Sequence, residues 1–223
     1  MSIRRSVAIF FSAKYIELLL GLVSSLILAR LLSPEEFGIY SIAASVVMIG
    51  YLFRNFGVGQ YIVQIEKLND GILRSAFTVT LVISWAIGLL LLLIAPWLGD
   101  SYENTGITTV LRLLSLNFLL LPFGAIADAV LRRNMAFDKL AIINVSAAST
   151  TLLVGVTAAL LGASYLSIAW ASNASTIVSI LLTLFFRPAG LPWLPGVSHL
   201  REVGKFGLKV GAMDIFNRGS DSV

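Results

Sequence analysis

The chain of 223 residues is 57% hydrophobic and only 13% charged, whereas about a quarter of the residues in a soluble domain are charged. Its mean hydropathy of +0.90 excludes an ordinary soluble domain and indicates an integral membrane protein. The net charge of +4 therefore relates to membrane orientation and anionic lipid headgroups and gives no indication of nucleic-acid binding. The sequence has no cysteine, which excludes disulfides and thiolate metal sites.

Six apolar stretches are long enough to cross a bilayer, since about 20 apolar residues in a helix match the hydrocarbon thickness. They predict helices over residues 8–32, 37–63, 72–98, 107–131, 139–161 and 165–187, and a weaker stretch begins near residue 202. Short connections favour antiparallel neighbours, and an open sheet cannot span lipid. The predicted fold class is an all-α transmembrane bundle of six helices with the start of a seventh.

Basic residues are distributed unevenly between the two sides of this bundle. If the N-terminus is inside, the inner segments hold ten Lys and Arg residues, and the outer loops hold Arg30 with four acidic residues. Cytoplasmic loops carry such an excess of basic residues, so we predict a cytoplasmic N-terminus. The predicted organisation is a six-helix lobe (1–187), a cytoplasmic Pro- and Gly-rich linker (188–201) and the start of helix 7 (202–223).

The first predicted helix has one polar face. Its members, at spacings of three and four residues, are Lys14, Glu17, Gly21 and Ser24. Residues at these spacings share one side of a helix. Either Glu17 pairs with Lys14 as a purely structural ion pair, or this face lines a water-filled cavity.

The turn before the second helix reads Ser-Pro-Glu-Glu from Ser33 onward, and it predicts a helix start with Ser33 as the cap. Further along, Arg54 lies inside the predicted helix, where a charge near the bilayer centre costs at least about 2.5–3.5 kcal/mol. Gly50 and Gly57 share its face and leave room for its side chain or for a ligand, and Asn55 adds hydrogen-bonding capacity. Alternatively, Arg54 lies low in the helix and extends its guanidinium to the inner surface.

The fourth predicted helix contains Pro122 in its middle, and we expect a kink there. Asp128 precedes Arg132 by four residues, which is the favourable order for an ion pair along a helix. The alternative for Asp128 is a role in binding an ion or a proton.

No pattern in the sequence indicates an enzyme. The chain has no phosphate-binding loop of the form GxxxxGK followed by Ser or Thr, no HExxH metal motif and one histidine, His199, in the linker. We therefore expect a protein that is not an enzyme and has no cofactor.

Three stretches carry a resemblance to a known family: ARLLSPEEFGIYSIA over residues 29–43, RNFGVGQYIVQ over 54–64 and FNRGSDSV over 216–223. They resemble the polysaccharide exporters, the Wzx-type flippases of lipid-linked oligosaccharides, in the superfamily that includes MATE drug exporters. The resemblance implies two six-helix lobes around a cavity that opens alternately to each side of the membrane. Because nearly all of the second lobe is missing, the chain is expected to be a fragment or a truncated sequence.

The resemblance also implies a substrate, an undecaprenyl-diphosphate-linked oligosaccharide. This lipid moves to the outer leaflet of the bacterial inner membrane for lipopolysaccharide, capsule or exopolysaccharide assembly. The family holds the diphosphate with cavity arginines, since guanidinium donates in a bidentate manner to phosphate oxygens. The implied substrate-binding residues are Arg54, Arg30 and Arg218, and the expected cavity-lining residues are Lys14, Glu17 and Asn55. Implied partners are membrane lipids, a polysaccharide polymerase and glycosyltransferases.

Two other functions are compatible with the sequence. One is cation-coupled export of small molecules on the same fold. A buried acidic cluster would favour this function, and the first six helices offer Glu17 and Asp128 for it. The other is a non-transporting membrane scaffold for glycosyltransferases.

Overall fold

The computed structural model of the protein describes residues 3–54, 57–188, 191 and 195–204, with side chains from Phe10 onward. Eight helices and no strand are found in these ranges, and residues 200–204 form one further helical turn. The helices are α1 (Ile3–Leu31), α2 (Pro34–Arg54), α3 (Val58–Gln64), α4 (Asp70–Ser101), α5 (Thr105–Leu120), α6 (Pro122–Arg133), α7 (Phe137–Leu160) and α8 (Leu166–Phe185). The predicted all-α membrane bundle is confirmed.

Five segments are long and apolar enough to cross a membrane: α1, Pro34–Gln64 with α2 and α3, α4, α7 and α8. Helices α5 and α6 together make a sixth candidate span, and they are bent by 53° relative to each other. The bend falls at Pro122, whose ring removes a helix hydrogen bond and clashes with the preceding turn. The predicted kink is therefore confirmed.

One core cluster joins α2, α4, α5 and α8 around Phe118, which is fully buried. The Phe118 ring lies 4.7 Å from the ring of Tyr51, centroid to centroid. A Cβ atom added at Gly50 would lie 3.0 Å from Ile87 Cγ2 and 3.1 Å from Phe118 Cζ. Gly50 therefore allows close helix packing, and the prediction that it leaves room for the side chain of Arg54 is wrong.

Polar side chains also join the helices within the bundle. Asn117 Nδ2 donates to Ser172 Oγ at 3.0 Å, and Asn173 Nδ2 donates to the carbonyl of Leu113 at 3.0 Å. Both bonds connect α5 with α8. Such interhelical bonds satisfy polar groups that have no water available in a bilayer. The hydroxyl group of Ser172 thus contributes to helix packing.

The start of α2 has the predicted cap. Ser33 Oγ accepts from the N–H of Glu36 at 3.2 Å, and Glu36 Oε2 accepts from the N–H of Ser33 at 2.7 Å. This reciprocal arrangement is a capping box, which satisfies two N–H groups at the helix start. The other carboxylate oxygen of Glu36 accepts from Ser164 Oγ, so the cap also ties α2 to the connection between α7 and α8.

The second half of the predicted linker packs on the lobe. The N–H of His199 donates to Ser75 Oγ of α4 at 3.0 Å, and Glu202 Oε1 accepts from the hydroxyl of Tyr61 in α3 at 2.8 Å. Val203 is fully buried in a core cluster with residues of α3, α4 and α6. Residues 195–204 are therefore part of the packed structure, and the rest of the predicted seventh helix lies outside the described residues.

Candidate functional site

A cavity of about 440 Å³ lies beside the end of α2, between α3 and α6, with one side formed by α4. Its polar side chains come from four helices, and they are Arg54, Gln60, Gln64, Thr80, Asp128 and Arg132. Backbone of Gly57 and Gly59 forms another part of the wall. We call this space the Arg54 cavity.

A break between α2 and α3 creates one wall of the Arg54 cavity. The span predicted over residues 37–63 is found as Pro34–Gln64, but its helix is interrupted at Gly57, before α3 begins at Val58. Gly57 precedes α3 with φ of 64°, a left-handed conformation that glycine adopts at little cost. Gly57 therefore does not continue a helical face with Arg54.

Arg133 secures the far end of α3. Its guanidinium donates to the carbonyl of Ile62 at 2.7 Å, to that of Ile65, and to that of Glu66 at 3.2 Å. The last carbonyls of a helix have no partner within the helix, and a basic side chain stabilises that end. Sequence reasoning treated Arg133 only as an orienting charge, since a contact with a residue 71 positions away leaves no local pattern.

One nitrogen atom of Arg54 lacks a hydrogen-bond partner. Its Nε is buried and has no hydrogen-bond partner in the structure, although the side chain as a whole is only half-buried. Leaving a buried donor of a charged group unsatisfied costs free energy. A ligand with acceptor oxygens in the cavity would satisfy this donor.

Asp128 and Arg132 form the ion pair that their spacing predicted. Arg132 Nε lies 2.7 Å from Asp128 Oδ2, with the two side chains 49% and 35% exposed, respectively. Both residues also line the Arg54 cavity. Two guanidinium groups and one carboxylate therefore give this cavity a net positive charge.

The polar face of α1 lines a different cavity. This second cavity, of about 550 Å³, lies between α1 and α7, and Glu17 contributes to its wall with Asn144 and Thr151. Lys14 Nζ lies 3.0 Å from Glu17 Oε1, so the predicted ion pair is confirmed. Glu17 is therefore both paired and adjacent to an open space, which the sequence presented as alternatives.

The remaining candidate residues do not meet Arg54 within the described part of the chain. Arg30 is exposed in the last turn of α1, close to the start of α2. Since the 21 residues of α2 extend about 30 Å, Arg30 and Arg54 lie at opposite ends of that helix. Asn55 and Arg218 are outside the described residues. The binding roles assigned to these residues stay predictions.

The fold and the Arg54 cavity define a helical membrane protein with a positively charged cavity at one end of its bundle. Within the described ranges, no group of three or more His, Asp or Glu residues is placed to hold a metal ion. A family model described as "Polysaccharide biosynthesis protein" matches residues 27–222. The chain belongs to this family, and the resemblance to polysaccharide exporters of the Wzx type is confirmed.

Individual relatives agree with this assignment. The chain is 24% identical over 168 residues to the lipopolysaccharide biosynthesis protein WzxC of Escherichia coli strain K12, covering 75% of this chain and 33% of WzxC. It is 31% identical over 158 residues to the succinoglycan biosynthesis transport protein ExoT of Rhizobium meliloti strain 1021, covering 71% of this chain and 31% of ExoT. The chain thus spans about a third of the length of these relatives. No solved structure matches it significantly.

Proposed function

We propose that the protein moves a polyprenyl-diphosphate-linked oligosaccharide from the cytoplasmic to the outer leaflet of the bacterial inner membrane. Family membership and the names of the relatives support a role in polysaccharide export. The observation that carries the finer proposal is the buried, unpartnered Nε of Arg54 in a cationic cavity. A diphosphate has acceptor oxygens for this donor and negative charge to offset the net positive charge of the cavity.

The chemistry of the cavity suits such a headgroup. Sugar and diphosphate groups do not cross hydrocarbon unaided, because transfer of polar and charged groups from water is costly. The guanidinium of Arg54 offers directed donors to phosphate oxygens. The side chains of Gln60, Gln64 and Thr80 offer donors and acceptors to sugar hydroxyls. The volume of about 440 Å³ is within the range of about 300–1,000 Å³ typical of ligand sites.

During transport the cavity would open first to one side of the membrane and then to the other. Many transporters expose one central site to each side of the membrane in turn, by movement of one helical bundle against another. In this chain the lobe of residues 1–187 would supply one wall, and residues 188–201 would connect it to the helix that starts at 202–223. Energy would come from an ion gradient or from consumption of the flipped lipid outside, since the sequence has no nucleotide-binding loop.

The alternative of cation-coupled export of small molecules has less support. Binding of a coupling cation requires acidic side chains that are grouped in one site. The two candidates, Glu17 and Asp128, line different cavities, and each is paired with a basic residue of its own helix. An anionic ligand therefore fits the Arg54 cavity better than a cationic one.

A flipping assay with the whole protein in liposomes tests the proposal. The probe is an undecaprenyl-diphosphate disaccharide with a fluorophore that dithionite quenches from outside the vesicle. We expect quenching to proceed beyond the outer leaflet, whereas a labelled phosphatidylcholine should stay protected in the inner leaflet. Transport of ethidium in place of the labelled lipid would favour small-molecule export. Binding of the lipid without movement would favour a scaffold.

The proposed orientation is tested by labelling single cysteines in intact cells. Ser101 ends α4, and Ser198 lies beside the opposite end of that helix, because the next residue bonds to Ser75. We expect an impermeant thiol reagent to label Ser101→Cys from outside and to leave Ser198→Cys unlabelled until the cells are opened. The same protection is expected for Ser2→Cys, although Ser2 is outside the described residues. External labelling of Ser198→Cys would reverse the orientation.

A further inference from the structure

The Arg54 cavity holds its own carboxylate among its positive charges. Asp128 Oδ2 accepts from Arg132 Nε at 2.7 Å, and its other oxygen is 3.4 Å from a terminal nitrogen of the same guanidinium. Asp128 also lines the same cavity as Arg54. A carboxylate in this position repels any anionic ligand, so its presence in a proposed anion site needs an explanation.

A contribution to the stability of α6 does not by itself account for Asp128 in the cavity. The side chains of Asp128 and Arg132 are 35% and 49% exposed, respectively, and ion pairs with this exposure contribute little to stability. The pair can therefore separate without serious cost to the fold. Its position on the cavity wall, rather than on the lipid-facing surface, places the separated guanidinium where a ligand would meet it.

We infer that Asp128 is an internal counter-ion that holds Arg132 in the empty cavity and yields it to the diphosphate of a bound ligand. Arg132 then becomes a second phosphate-binding residue beside Arg54, one guanidinium for each phosphate group. This inference rests on the proposed function and adds two residues to its site. Asp128 acts through Arg132 and is a positioning residue, whereas Arg132 contacts the ligand.

The exchange of partners has a clear driving force. A diphosphate carries more negative charge than a carboxylate and offers more acceptor oxygens, so it binds guanidinium more strongly. Repulsion from the displaced Asp128 then weakens the complex. A transport site has to bind its ligand firmly enough to admit it and weakly enough to release it. Asp128 thereby limits affinity and favours release.

The two residues should have opposite effects on binding. We propose to measure the affinity of the whole protein in nanodiscs for radiolabelled farnesyl diphosphate and for inorganic pyrophosphate. Asp128→Asn should tighten the binding of farnesyl diphosphate by about two- to fivefold, as expected for removal of one partly screened charge. Arg132→Ala should weaken it by about tenfold or more. Arg132→Lys should give an intermediate value.

The flipping assay adds a second readout. Asp128→Asn should bind more tightly yet flip the labelled lipid more slowly, because release is impaired. Asp100→Asn is the matched control. It removes an exposed carboxylate that lies near the C-terminal end of α4 and is not part of the cavity wall. Asparagine at position 128 still accepts a hydrogen bond from Arg132. The thermal unfolding midpoint of each variant in nanodiscs shows whether the fold is retained.

The outcomes separate a structural role of the Asp128–Arg132 pair from a role in ligand binding. If Asp128→Asn and Arg132→Ala both weaken binding, or both leave it unchanged, the pair is structural and the inference is overturned. If the native protein binds pyrophosphate but not farnesyl diphosphate, a lipid headgroup is not the ligand, and the inference is also overturned. Unchanged binding in Arg54→Ala would instead remove the proposed function. Tighter binding in Asp128→Asn with weaker binding in Arg132→Ala supports the inference.

Discussion

Replacing Arg54 with alanine is expected to reduce polysaccharide export by about tenfold or more, because a charge-assisted hydrogen bond is worth about 1.5–3 kcal/mol. The loss should leave the fold intact, since the guanidinium Nε has no hydrogen-bond partner in the structure. Export is measured as extracellular polymer in a strain that depends on this protein. The amount of protein in the membrane is measured alongside, because a misfolded variant would also fail to export.

Lysine at the same position separates two roles for the charge. If Arg54 only extends its charge toward the membrane surface, Arg54→Lys should be nearly silent, because a long side chain with a positive end is sufficient. If Arg54 binds a diphosphate, lysine should restore export only in part, because it lacks the planar, forked donors of guanidinium. Arg112→Ala is the matched control, since Arg112 is exposed on α5 and is not part of the cavity wall. Normal export by Arg54→Ala at normal abundance would contradict the binding role.

The spans were predictable because hydrocarbon thickness fixes the length of an apolar helix. Six apolar stretches in the sequence correspond to five long segments and one bent pair in the structure. The bend at Pro122 was predictable for an equally local reason, since proline breaks the helix hydrogen bonding wherever it occurs inside a helix. Features that depend on one residue or on one run of residues, such as a bend or a span, could thus be predicted from the sequence.

The break at Gly57, between α2 and α3, was not predictable from composition. Gly57 stands in an apolar stretch, and glycine is common in membrane helices, so hydropathy does not distinguish a helical glycine from one with a left-handed backbone. The contacts of Arg133 with α3 and of Glu202 with Tyr61 were also missed, because they join residues 71 and 141 positions apart. Such long-range contacts shape the cavity wall, which is why the sequence indicated Arg54 but not its surroundings.

Helix α6 shows how closely the cavity and the fold are connected. Asp128 and Arg132 line the cavity, and Arg133, the next residue, binds the carbonyl end of α3. The same helix end therefore places charge on the cavity wall and also holds α3, which forms the opposite wall. A change in the position of α6 would alter both the charge and the width of the site.

Phe118→Ala is expected to have the largest effect on stability. The ring is fully buried where α2, α4, α5 and α8 meet, and removing a buried phenylalanine costs about 3–5 kcal/mol through lost contacts and the cavity left behind. Gly50 brings α2 so close to this ring that neighbouring helices are already in contact and have little freedom to fill the space. Thermal unfolding of the purified protein in detergent, with its abundance in membranes, measures the loss.

Phe185→Ala is the matched control for Phe118→Ala. Phe185 is 80% exposed at the end of α8, where lipid or detergent chains replace the missing ring without leaving a void. Its substitution should therefore change the unfolding midpoint little. Because association of helices within lipid depends on packing rather than on removal of apolar surface from water, the two substitutions differ in the void that each creates. Equal destabilisation by both variants would mean that the cluster around Phe118 does not hold the helices together.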